Sequence, residues 1–365
     1  MIKVLCIAGA RPNFMKIAPI RREASKYPQI ECKLVHTGQH YDREMSQAFF
    51  EDFEIPTPDF HLNVGSASHA VQTAKIMMEF EMVCLQESPD LVMVVGDVNS
   101  TLACSLVAKK LQIQVAHVEA GLRSFDLSMP EEINRMVTDV ITDFYFVTED
   151  SGVENLLREG KPEERIHLVG NVMVDNLLHQ VRKLENEGGA HLSVARTKPE
   201  AGDYIFLTLH RPSNVDDASK LLEITGALND IAAEMPIFFP VHPRTKKMVE
   251  AHRINLSKRI TLLPPLGFLD ALYLWKDACL VLTDSGGLQE ETTALGVPCI
   301  TLRENTERPI TIEMGSNILG GTTRESILKA YGKVKANRGR KYEVPPGWDG
   351  LASERIWKVL LRGMP

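Results

Sequence analysis

The chain has 365 residues, 44% hydrophobic and 24% charged, with a formal net charge of −7. That length suits two globular domains of ordinary size, and the charge argues against nucleic acid or an anionic membrane as a partner. No apolar run approaches the roughly 20 residues of a bilayer span, and the six scattered cysteines contain no CxxC pair. The 11 histidines show no HExxH spacing, and the N-terminus enters a strand-like run without a signal-type h-region. A cytoplasmic protein without a structural or catalytic metal is expected.

In chain order, short apolar runs alternate with segments of helical period. The runs of the first half are residues 2–8, 32–36, 90–96, 113–118, 144–147 and 165–170. They are too continuous for half-exposed strands and predict a parallel sheet covered on both faces. The rhythm stops at the polar stretch 184–202, which reads as an interdomain linker. It resumes with runs at 203–209, 236–241, 259–263, 279–283, 298–302 and 317–319. The pattern predicts an α/β protein of two Rossmann-like, doubly wound domains, with a ligand cleft bounded by the carboxyl ends of both sets of strands. The expected division is 1–172 for the first domain and 173–349 for the second. The tail, 345–361, reads as an amphipathic helix.

Polar groups collect at the carboxyl ends of the predicted strands. The first domain offers Arg11 and Lys16 in GARPNFMK, Asp97 and Asn99 in GDVNST, Glu119 and Arg123 in HVEAGLRS, and Glu131, Glu132 and Arg135 in MPEEINR. The second offers His210 and Arg211 in LTLHRPSN, His242 and Arg244 in VHPRTK, and Arg308 in RENTERP. One such strand end is an ordinary helix cap; so many charged ends together point to a site. His117, at a buried strand end, reads as a satisfied core residue.

The stretch TDSGGLQEE follows the run Cys279–Leu282 as a strand-to-helix turn. Ser285, Gly286 and Gly287 would present N–H groups and a hydroxyl at a helix N-terminus, where the macrodipole favours an anion. There is no Walker lysine and no GxGxxG, so neither an ATPase cradle nor a dinucleotide fingerprint fits. Glu290 and Glu291, about one turn into the helix, could accept from ribose hydroxyls. A diphosphate beside a ribose describes a nucleoside diphosphate. Opposite it, Asp97, Glu119 and Glu131 with basic neighbours could hold separated pKa values for acid/base chemistry.

With these motifs in order, together with TGQHYD, LGVPCITL and WDGLASERI, the chain resembles the non-hydrolysing UDP-N-acetylglucosamine 2-epimerases over essentially its whole length. The resemblance implies the glycosyltransferase-B fold, with a C-terminal helix (350–365) returning to the first domain, and homodimers. It implies conversion of UDP-GlcNAc to UDP-ManNAc for cell-surface polysaccharide, by anti elimination through 2-acetamidoglucal and re-addition of UDP. Asp97, Glu119 and Glu131 would form the acid/base set. Lys16, Arg11, Arg135 and His210 would stabilise the departing diphosphate. Ser285, Gly286 and Gly287 would hold phosphates and Glu291 the ribose, with Arg211 and Arg308 as further substrate contacts.

The chain departs from the family pattern at Ala271, where an aromatic residue often packs on the uracil, leaving Phe268 as a substitute. It also carries Ser68, His69 and Ala70 where many bacterial members have an Arg-Gln pair for an allosteric UDP-GlcNAc; Gln39, His242 and Arg211 keep part of that site. The alternatives are a 2-epimerase of a modified sugar such as a 2,3-diacetamido uronate, a hydrolysing 2-epimerase, or a glycosyltransferase of the same fold.

Overall fold

The computed structural model describes residues 1–38, 53–55, 57–200, 202–306 and 308–363, and only the backbone at Arg11. Gln39 and the remainder of TGQHYD lie outside the described residues. The chain divides into two compact units, Met1–His179 with Pro346–Pro365, and Gln180–Pro345.

The first unit is built on the parallel strands β1 (Ile2–Ala8), β2 (Ile30–His36), β3 (Phe60–His61), β4 (Leu91–Val95), β5 (Gln114–Val118), β6 (Phe144–Val147) and β7 (Ile166–Leu168). Their order is β3-β2-β1-β4-β5-β6-β7. The two-residue β3 had no apolar run to announce it. Every residue of β4 is buried, as expected of a central strand with helices on both faces. The helices of two turns or more are α1 (Arg11–Ala24), α2 (His69–Glu87), α3 (Asn99–Lys110), α4 (Pro130–Ile141), α5 (Asp150–Arg158) and α6 (Val172–Glu187).

The second unit repeats the plan with β8 (Ile205–Thr208), β9 (Ile237–Pro240), β10 (Ile260–Leu263), β11 (Leu280–Thr283), β12 (Cys299–Thr301) and β13 (Asn317–Leu319). The order is β10-β9-β8-β11-β12-β13, again all parallel. Its longer helices are α7 (Ala218–Glu234), α8 (Pro243–Ala251), α9 (Phe268–Trp275), α10 (Gly286–Leu295) and α11 (Arg324–Ala336). A buried cluster runs through it from Ile205 and Leu207 through Leu228 and Ile231 to Ile300 and Ile327.

The stretch 184–202, expected as a linker, is folded into this second unit. Leu184 and Val194 are buried, the Ser193 hydroxyl donates to Asp270 at 2.9 Å, and Lys198 pairs with Asp277. Its polar residues anchor it to α9 and its flank, which composition cannot distinguish from solvation. The last helix, α12 (Ala352–Gly363), belongs to the first unit. Trp357 is fully buried and donates to the Ile20 carbonyl of α1 at 2.8 Å. Asp175 of α6 accepts from the Ala352 and Ser353 amides at the start of α12.

Both sheets reverse winding once, between β1 and β4 and between β8 and β11. In an open α/β sheet, the carboxyl end of that pair of strands is where the loops splay apart and a ligand can enter.

Candidate active site

In the first unit the loops after β1, β4 and β5 converge at the reversal point. Asn13 fixes the first loop: its side-chain oxygen accepts from the Gly9 and Ala10 amides at 3.1 and 2.9 Å, and its amide donates to Val95 at 3.1 Å. Lys16, one turn into α1, is thereby aimed at the end of β5, where it pairs with Glu119. Both side chains are almost wholly buried, so the pair is poorly screened by solvent. Glu119 sits at φ 71°, a left-handed conformation uncommon for a non-glycine residue and concentrated at functional sites. Gly96, at φ 65°, leaves the room: a Cβ there would stand 3.1 Å from Lys16 Nζ and 3.5 Å from Glu119 Oε2.

The next residue, Asp97, is about one-third exposed and accepts from Arg135 Nη1 at 2.5 Å. Asn134 donates to the Asp97 carbonyl at 2.8 Å and contacts Asn99 at 3.3 Å. The two adjacent glutamates at the start of α4 have different surroundings. Glu132 is buried, caps the Ser124 and Phe125 amides at 3.0 Å each, and pairs with Arg135 at 2.9 Å. Burial opposes its ionisation, but those amides and the guanidinium hold it below the usual carboxylate range. Glu131 is exposed and makes no hydrogen bond or ion pair among the described residues. The structure thus brings Lys16 to Glu119 and Arg135 to Asp97, and leaves Glu131 free beside them in sequence. Arg11 opens α1.

In the second unit the reversal point is organised by a residue the sequence reading passed over. Asp284 is fully buried. It accepts from the His210 and Arg211 amides at 3.0 and 2.8 Å, and from His210 Nδ1 at 3.1 Å. Burial works against its charge, yet His210 and those amides keep its pKa low. An acid lying between a buried strand and a serine helix cap was the signal available for it. Thr283 receives the Ser285 amide at 2.9 Å and touches Thr208 at 2.6 Å. Ser285 caps α10, accepting from Leu288 at 3.5 Å, and a Cβ on Gly287 would meet nothing within 4 Å. That open helix start is a ready anion site.

Farther along α10, Glu290 pairs with Arg308 at 3.3 Å. Glu291 is buried, and desolvation with the neighbouring Glu290 pushes it up to about 8. That direction favours the neutral acid, where the sequence suggested a plain carboxylate. Phe268 and Ala271 share one face of α9 at i, i+3 spacing, both half-buried. The ring of His242 lies 6.0 Å from that of His210.

A family model for UDP-N-acetylglucosamine 2-epimerase matches residues 22–361. The chain belongs to that family. It is 44% identical to the UDP-N-acetylglucosamine 2-epimerase of Methanocaldococcus jannaschii over 99% of this chain and 100% of the relative. The crystal structure of that enzyme in complex with UDP-GlcNAc and UDP superposes with a TM-score of 0.87, covering 99% of this chain and 100% of the other. The Neisseria meningitidis UDP-GlcNAc 2-epimerase bound to UDP-GlcNAc gives 0.89 at 30% identity, with coverage of 99% and 100%. A Pseudomonas aeruginosa relative, UDP-2,3-diacetamido-2,3-dideoxy-D-glucuronate 2-epimerase, is 38% identical over 99% of this chain and 100% of its own length. The chain is thus an isomerase of the UDP-GlcNAc 2-epimerase family, with the two-unit glycosyltransferase-B-type fold of its relatives.

Proposed function

We propose that this enzyme interconverts UDP-GlcNAc and UDP-ManNAc without a cofactor, by eliminating UDP across carbons 1 and 2 and adding it back after protonation of the opposite face. The carbon-2 hydrogen has no adjacent carbonyl, so its removal depends on departure of the diphosphate from carbon 1. Carboxylates poised against cations are therefore required. The observation that carries the reading is the pairing of Glu119 with Lys16 and of Asp97 with Arg135 at one sheet reversal point.

In this reading Asp97, Glu119 and Glu131 form the acid/base set. Glu131 is preferred to its neighbour because Glu132 is committed to two amides and Arg135. Lys16, Arg135 and Arg11 stabilise charge on the departing oxygen. The second unit holds the UDP. Ser285, Gly286 and Gly287 receive the phosphates on the start of α10, with His210, Arg211 and Arg308 beside them, and Glu291 meets the ribose. Phe268 is the base contact offered by α9.

The enzyme acts as a homodimer in the cytoplasm. Support for the dimer is an apolar surface left open on the first unit. Val71, Met78, Met82 and Leu85 stand exposed at helical spacing on α2, and Ile133, Met136, Val137 and Val140 on α4. Open apolar patches of that kind mark association surfaces.

Incubation with UDP-GlcNAc in deuterated water tests the chemistry. One deuterium at carbon 2, with UDP-ManNAc formed and no free sugar, is expected by proton NMR and mass spectrometry. Free ManNAc plus UDP would instead identify a hydrolysing enzyme. Exchange only with the 2,3-diacetamido uronate substrate would move the specificity to that of the Pseudomonas relative.

A further inference from the structure

Beneath the acid/base segments lies an ionic cluster that the reaction scheme does not use. His117 of β5 and Asp139 of α4 are fully buried, and the Arg123 side chain is 2% exposed. His117 Nδ1 meets Asp139 Oδ1 at 2.7 Å, and its Nε2 meets the Gly96 carbonyl at 2.9 Å. Asp139 Oδ2 accepts from the Gly121 amide at 3.0 Å and from Arg123 at 2.7 Å. Arg123 in turn grips Glu159 with two bonds of 2.8 Å. Burial alone would push the Asp139 carboxyl up, but His117 and Arg123 hold it below its ordinary range. A carbonyl and an ionised carboxylate accept, so each imidazole nitrogen faces an acceptor.

The cluster touches each segment that carries a proposed acid/base group. Gly96 immediately precedes Asp97. His117 stands on β5 two residues before Glu119, which follows the end of that strand. Asp139 lies one helical turn beyond Arg135, on the helix whose first turn bears Glu131.

We propose that His117 and Asp139 are positioning residues: a doubly donating imidazole fixes the Gly96 turn and ties it to α4, setting Asp97, Glu119 and Arg135 relative to one another. This rests on the acid/base reading above and adds to it. A solvated or metal-binding histidine would leave one nitrogen free; here neither is.

The amide of glutamine reaches where Nε2 stood, and that of asparagine where Nδ1 stood, so two variants separate the bonds. His117→Asn keeps the Asp139 contact and releases Gly96; kcat should fall at least tenfold while UDP affinity, measured by titration, stays unchanged. His117→Gln restores the Gly96 contact and should recover most of that loss. The shape of the pH–rate profile should match the wild type in both, because the proton movers are unaltered. Equal losses in both variants, or losses that track only the folded fraction, would overturn the proposal; so would a missing limb of the pH profile, which would make His117 a proton shuttle.

Nitrogen-15 NMR of histidine-labelled wild-type chain needs no variant. Both ring nitrogens of His117 should carry slowly exchanging N–H protons, and a ring nitrogen without one refutes the idea. Wild-type deuterium exchange at carbon 2 is run first. If it is absent, the acid/base reading fails, whereas the NMR result judges the clamp itself.

Discussion

The two units share one strand order at the reversal point yet fill that point with opposite chemistry. In the first, β1, β4 and β5 end in side chains that carry full charges in pairs, Lys16 with Glu119 and Arg135 with Asp97. In the second, β8 and β11 end in backbone amides and a capped helix start, ordered by a buried Asp284. The first arrangement suits proton transfer, which needs side chains that can gain and lose a proton. The second suits an anion that is held and released unchanged, since fixed dipoles do not titrate. A common topology thus supplies a location, and the residues placed there decide whether it moves protons or holds phosphate.

The sharpest test of that division is Glu119→Gln. It should lower kcat by about 10² to 10⁴-fold, the range of a lost general acid/base group, while UDP still binds with wild-type affinity by calorimetry. A comparable loss of UDP binding would show that the units do not divide the labour. Asp284→Ala is the mirror experiment. It leaves the His210 and Arg211 amides without their acceptor, and each such buried group costs about 1–3 kcal/mol. UDP affinity should fall by more than tenfold, with a lower melting temperature; unchanged affinity would remove Asp284 from the phosphate site.

Glu291 gives the comparison a pH axis. Its folded pKa, raised to about 8, means that the folded chain keeps a proton that the unfolded chain releases near pH 4–5. Its contribution is fully present below that range and is lost as pH rises through 8. Glu291→Gln should therefore flatten the loss of stability between pH 6 and 9, an effect of a few kcal/mol at most, read from urea midpoints at both pH values. A slope identical to wild type would mean that Glu291 is already ionised at pH 6. The smallest effect on chemistry belongs to Met82→Glu on the open face of α2. It should give a monomer by light scattering while leaving the hydrogen-bond pattern around Asp284 untouched.

Much of this was legible in one dimension. Apolar runs marked every strand except β3, most clearly in central strands such as β4, which is buried throughout and therefore apolar throughout; the two residues of β3 are too few to show a period. The site motifs were visible because charged residues at buried strand ends have few structural uses. What the sequence left open was which member of a group does what. Glu131 and Glu132 are identical letters in adjacent positions, and only the helix register turns one into the Ser124–Phe125 cap and exposes the other. Glu291 looked like a carboxylate until its burial favoured the neutral acid. His117 read as an ordinary core histidine, and the acceptors on both its nitrogens come from residues 21 and 22 positions away.

By itself, then, the sequence determined the α/β class, every strand but β3 and the chemical character of both strand-end clusters, since these follow from local hydrophobic period and residue type. The tertiary structure alone decided the ion pairing, the raised pKa of Glu291, the partners of Asp284 and Asp139, and the folding of 184–200 onto the second unit. Each of those depends on distances between residues far apart in the chain, and on how much water is excluded between them.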